Sequence, residues 1–260
     1  LEADASVVVG GTLNTASGAC SFIGGGQGNQ LLQSAHSVIG GGCCNYLSGT
    51  CALSAFIGGG KSNTVFANCS LIVGGVSNCI AGMESGACSV IVGGNTNKIC
   101  AADAFIGGGS ENIICREVMS GTAFHATIVG GRCNCTRANC SFIGGGKSNG
   151  MVCSAISSVI VGGTLNTSSA ACSFIGGGTN NTSSAACSFI GGGSSNELRS
   201  GNGVLVGGGS NLVCANGNVT LVGGCLNIAS GCCTFLGGGN RNKAEGQQSV
   251  LVGGYNNTGS

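Results

Sequence analysis

The chain has 260 residues, no proline, 54 glycines and 19 cysteines, and its 7% of charged residues leaves a formal net charge of +1. No basic patch or acidic run is present to recruit nucleic acid or an anionic membrane surface, so those partners are disfavoured. The apolar residues come in runs of two or three broken by glycine, which leaves no stretch long enough to insert as a transmembrane helix.

The first residues, Leu1 to Ala5, carry no Met and no signal peptide, which reads as processing or as an excerpt of something longer. From Ser6 onward one short phrase recurs. It consists of a small residue, two or three apolar residues, a double glycine, two free positions and Asn. The first copy is Ser6-Val7-Val8-Val9-Gly10-Gly11-Thr12-Leu13-Asn14, and the last runs from Ser249 to Asn257. Copies begin at 6, 21, 37, 55, 70, 89, 104, 126, 141, 158, 173, 188, 203, 219, 234 and 249. The smallest spacing is 15 residues, and every longer one adds residues only between the Asn and the next copy. A helical repeat needs roughly 20–45 residues. A 15-residue unit rich in Val, Ile, Phe and Gly therefore predicts an all-β chain, a parallel β-solenoid of about 16 coils filling residues 1–260 as one domain without distinct caps. At a rung spacing near 4.8 Å, such a stack would make a rod roughly 75 Å long.

Numbering the small residue as column one puts the double glycine in columns five and six and the Asn in column nine. Thirty-two of the 54 glycines fill the two fixed columns, which reads as a corner. Column two is Phe in seven copies, and in all seven column four is Gly, as in Phe22/Gly24 and Phe189/Gly191. Where column two is Val, Leu or Thr, column four is Val, with Val38/Gly40 the one exception. Positions i and i+2 share a face of a strand, so this volume exchange predicts a packed interior behind columns two and four. Column three is always Val, Ile or Leu and faces the other way. Both faces are apolar, and one of them needs a partner. Packing against identical chains, as a trimer or a bundled fibre, is the economical solution.

The ladder column comprises Asn14, Asn29, Asn45, Asn63, Asn78, Asn97, Asn112, Asn134, Asn149, Asn166, Asn181, Asn196, Asn211, Asn227, Asn242 and Asn257. Stacked amides can hydrogen-bond from rung to rung, which assigns these residues a structural role. Asn166 also begins a glycosylation sequon, as do Asn68, Asn139 and Asn218, but its ladder position would block a glycan.

Seven cysteines immediately precede a copy, and the pairs Cys69/Cys88 and Cys172/Cys187 fall on consecutive coils. Cys100 and Cys115, each three residues past the ladder Asn, make a third consecutive pair. One rung is a separation that a disulfide accepts. These six are candidate disulfide partners, which would imply an oxidising setting. Reduced cysteines used as small apolar fillers are the competing reading. A metal site is a weaker one, because Cys43-Cys44 and Cys133-Asn134-Cys135 lack paired zinc-site spacing.

Nothing assembles a catalytic or cofactor set. His36 and His125 each precede a copy and read as loop residues, and the eight acids recur at no common column. The repeated Gly-x-Gly lacks the following helix and the Lys-Ser/Thr of a phosphate loop. The residue after the ladder Asn forms no Thr array of the kind an ice-binding solenoid presents. No enzyme, cofactor or metal is expected.

The phrases Asn14-Thr15-Ala16-Ser17-Gly18 and Ser21-Phe22-Ile23-Gly24-Gly25-Gly26 resemble the IGGG-x-x-N repeats of YadA-like trimeric adhesin heads and of phage and giant-virus surface proteins. That resemblance implies a left-handed parallel β-roll, usually trimeric, on a cell or virion surface. The cysteine content departs from it. The expectation is a self-assembling structural fibre or coat subunit, whose first and last coils leave open strand edges. The alternative is an adhesin head that contacts a host receptor through the insertions Met83 to Gly86 and Arg116 to His125.

Overall fold

The computed structural model describes residues 5–49, 52–81, 88–115, 123–199, 201–215 and 217–260. These residues contain strands and turns and no helix. They divide into two compact units, Leu1–Cys135 and Thr136–Ser260. Each unit holds eight coils of a parallel β-solenoid, sixteen in all, with a repeat of about 15 residues. The insertion Met83 to Gly86 and residues 116–122 of the second insertion lie outside the described residues.

Every coil contributes a strand over columns two and three, such as Phe22–Ile23 or Phe174–Ile175, and a second just past the ladder Asn, such as Gln30–Leu32 or Thr182–Ser183. Within each unit the first strands pair with one another in parallel and the second strands do likewise. Phe22 registers with Val38, for example, and Thr167 with Thr182. A third ladder of single bridges runs through column seven, as in Thr12↔Gln27 and Thr164↔Thr179. Sequence-adjacent coils therefore satisfy one another's backbone, as in Phe22 N–H to Ser37 C=O at 3.0 Å.

Column three fills the interior. Ile23, Ile57, Ile91, Ile143, Ile190 and Leu236 are all fully buried. So is the middle of the second strand, with Leu31, Val65, Ile99 and Leu198. Each large aliphatic so buried contributes about 1.5–3 kcal/mol. In the second unit several of these positions are hydroxyls. Ser168 and Ser183 meet Ser173 and Ser188 across the coil at 2.5 Å each, which satisfies polar atoms that burial would otherwise leave costly.

This reverses one expectation. The Phe–Gly exchange does not pack the interior; it lies on the outer face. The column-two rings of Phe22, Phe56, Phe105, Phe142, Phe189 and Phe235 are 37–40% exposed, and the column-four valines Val73, Val92, Val129, Val161, Val206 and Val222 are 40–48% exposed. Columns one and three, as Ser89 and Ile91, point inward together. The glycine opposite each Phe still has a reason: a Cβ on Gly58 would lie 3.2 Å from the Phe56 ring edge and 2.3 Å from the Val73 carbonyl oxygen. The ring lies over bare backbone along the outside of the coil.

The corners use left-handed backbone far more than the double glycine suggests. Column eight has positive φ in all sixteen coils, fifteen of them at non-glycine residues from Leu13 (58°) to Asn256 (55°). The residue preceding a copy behaves alike at thirteen positions, among them Cys20, His36, Asp103 and Cys187. Left-handed φ costs an L-residue roughly 1–2 kcal/mol. The return is a reversed amide: Cys44 N–H points back to Gln27 C=O at 2.8 Å, whereas neighbouring Cys43 N–H points forward to Gly60 C=O at 2.9 Å. Both neighbouring coils are thereby satisfied. Nine of the described cysteines occupy such corners.

Candidate functional site

Three repeated features could carry function: the Asn–Gly column, the outer apolar face and the cysteine columns.

The ladder Asn side chain is a three-way clamp. Asn166 Nδ2 donates to Gly162 C=O in its own coil (2.9 Å) and to Gly178 C=O in the next (3.0 Å), while its Oδ1 accepts from Asn181 N–H (3.0 Å). The same set recurs at Asn29, Asn97 and Asn196, among others. The Asn column thus reinforces the backbone ladders chiefly through side chain to backbone, not amide to amide. Direct amide-to-amide bonds occur as an addition at Asn45–Asn29 (3.1 Å) and Asn63–Asn45 (3.2 Å). Asn166 is fully buried, so its sequon nitrogen is already engaged inside the coil.

The two glycines beside the clamp differ. Gly163 in column six has φ +87°, and a Cβ there would stand 2.1 Å from Gly178 O and 2.6 Å from Asn166 Nδ2. Column six is glycine because nothing else fits. A Cβ on Gly162 in column five would meet no atom within 4 Å, and across all sixteen coils no column-five Cβ would come closer than 3.8 Å. At Gly25, Gly177 and Gly238 a φ of 144–155° favours glycine, but at the other thirteen φ is not positive. Space within the chain does not require glycine in column five.

None of the eighteen described cysteines is joined in a disulfide. Cys100 and Cys115 are direct Cα partners in the second sheet of the first unit, and their thiols are hydrogen-bonded. Cys69 and Cys88 also meet, at an exposed corner. Cys172 and Cys187 occupy equivalent corners of consecutive coils and are exposed. Adjacent thiols also touch at Cys43–Cys44 (3.2 Å) and Cys232–Cys233 (3.4 Å). Cys133 donates to Glu111 Oε2 at 2.8 Å, and that bond pushes its thiol up from the usual range.

One row of corners sets Cys88, Asp103 and His125 on consecutive coils, with His125 Nε2 3.6 Å from Asp103 Oδ2. The order is wrong for a thiol nucleophile, because the carboxylate stands between thiol and imidazole. Partial burial, then the neighbouring Cys69 and Asp103, push the Cys88 thiol up, the opposite of activation. His36 and His125 are both exposed corner residues. Among the described residues no three His, Cys, Asp or Glu side chains converge as metal ligands, and no helix is long and apolar enough to cross a membrane.

The fold and its ladders define a parallel β-solenoid repeat protein. No protein-family model matches the chain. No curated protein is significantly similar to it.

Proposed function

We propose that the chain is a non-enzymatic structural protein whose coils pack side by side with further copies, forming a fibre or coat at a cell or virion surface. The observation that carries this reading is the bare column-five backbone beside an exposed apolar ladder. Glycine without an internal reason marks a place where another backbone approaches closely. Here that place recurs in thirteen of the sixteen coils, next to the Phe and Val side chains of columns two and four. A continuous apolar strip of this kind exceeds the few hundred Å² that soluble monomers leave in water. A partner with the same repeat would match it rung for rung, which makes a second copy the natural occupant.

Sedimentation velocity over a concentration series, with reductant present, tests the reading. Mass above the 24.9 kDa of a single chain is expected, reduced by Gly162→Glu with the circular dichroism spectrum unchanged. A stable monomer at every concentration would refute the proposal.

A further inference from the structure

Four cysteines lie outside the corner columns yet close together, on the outer face of the second sheet in the first unit. Coil by coil, that face carries Cys79, then Lys98 and Cys100, then Ile113 and Cys115, then Cys135. Cys79 registers with Lys98, Lys98 with Ile113, and Cys100 with Cys115. On the opposite side of the same strands Ile99 and Ile114 are fully buried, and the strands are bonded by Lys98 N–H to Asn112 C=O at 2.8 Å. The backbone therefore holds the Cys100 and Cys115 Cα atoms about one rung apart, roughly 4.8 Å, inside the range a disulfide spans.

We propose that Cys100 and Cys115 form a reversible dithiol–disulfide couple that ties one coil to the next, oxidised by exchange with a low-molecular-weight disulfide. Three observations separate this pair from the others. Its members are direct strand partners. Their thiols already touch. Both are half-buried on a strand pinned by core residues, whereas the Cys69/Cys88 and Cys172/Cys187 pairs stand on exposed corners. Cys115 is held well above the ordinary thiol range, first by its hydrogen bond to Cys100 and then by burial and the charge of Cys100. The two thiols share one hydrogen bond, so the pair gives up its protons one at a time. The Lys98 ammonium beside the pair favours a thiolate on this face.

In the first step the thiolate of one member attacks one sulphur of the small disulfide, expels one thiolate and leaves a mixed disulfide on that cysteine. The other member then gives up its proton and attacks the protein sulphur of the mixed disulfide, expelling the second small thiolate. Two protein thiols become one disulfide, one small disulfide becomes two thiols, and the two protons end on those thiols.

The couple does not depend on the assembly reading and is tested on the full chain. Trypsin releases residues 99–116 as one peptide, in which Cys100 and Cys115 are the only cysteines, and cleavage at Glu111 separates them. Reduced, folded protein is equilibrated with glutathione disulfide, free thiols are blocked with N-ethylmaleimide, and the peptide is weighed. The expected product lacks two hydrogens, carries no maleimide and stays joined after cleavage at Glu111. Cys115→Ser should trap glutathione on Cys100, and Cys100→Ser should trap it on Cys115. A doubly blocked peptide from the folded wild type, or Cys100 joined to Cys79, Cys135 or another chain, overturns the couple. The wild-type peptide map needs no variant to fold.

Discussion

Substituting alanine for each member of one double glycine isolates the two roles of the corner. In Gly163→Ala the new Cβ would lie 2.1 Å from Gly178 O and 2.8 Å from Gly178 N, both backbone atoms of the next coil, in a φ of +87° that an L-residue resists. The left-handed term costs about 1–2 kcal/mol. Overpacking against backbone that must shift adds about 1–3 kcal/mol. The Asn166 clamp is also disturbed, since its Nδ2 stands 2.6 Å from the same Cβ. A loss of about 3 kcal/mol or more is expected. Gly162→Ala meets nothing within 4 Å and should change stability by less than about 0.5 kcal/mol. Urea unfolding under reducing conditions, at concentrations where sedimentation shows a single species, reads both. Equal losses at the two positions would refute the steric division between columns five and six. A neutral Gly163→Ala would refute the tight stacking of the coils.

Asn166→Ala strips Gly162 C=O and Asn181 N–H of buried partners, so about 2–5 kcal/mol should be lost in the same assay. Asn166→Asp should be no better, because a carboxylate cannot donate to the two glycine carbonyls. Ile91→Ala should cost about 2–5 kcal/mol, while Phe105→Ser, on the outer face, should cost the dilute chain far less and act instead on the sedimentation coefficient at high concentration. Formation of the Cys100–Cys115 disulfide closes a loop of one coil and should raise unfolding stability by about 3 kcal/mol, an increment absent from Cys115→Ser. Cys133 is held above the usual thiol range by its bond to Glu111. In a Cys135→Ser background, Glu111→Gln should therefore move the pH profile of Cys133 alkylation to lower pH, and an unmoved profile would show that the bond does not persist in solution.

How far the sequence reaches can be judged position by position. The period, the strand before the double glycine and the pairing of Cys100 with Cys115 were legible, because a parallel coil places equivalent columns in register. The column of Asn was legible too, but its partners were not: an amide can bond either another amide or a backbone group, and the geometry of the corner decides. Gly162 and Gly163 look identical in the sequence, and only the neighbouring coil distinguishes them. The left-handed corners at Cys44 or Leu165 left no compositional mark, since residues of many kinds fill them and the reward is an amide turned toward the preceding coil.

The sequence by itself therefore determined the repeat, the β-solenoid class and which residues share a strand face, since a period of about 15 and alternation of side chains are properties of the chain. It did not determine which face lies inside. Both faces are apolar, so polarity carried no sign, and the Phe–Gly exchange suited either side. Only closure of the coil decided it: the corners at columns six and eight and at the residue preceding a copy turn the chain so that columns one and three face inward, and the phenylalanines are left outside.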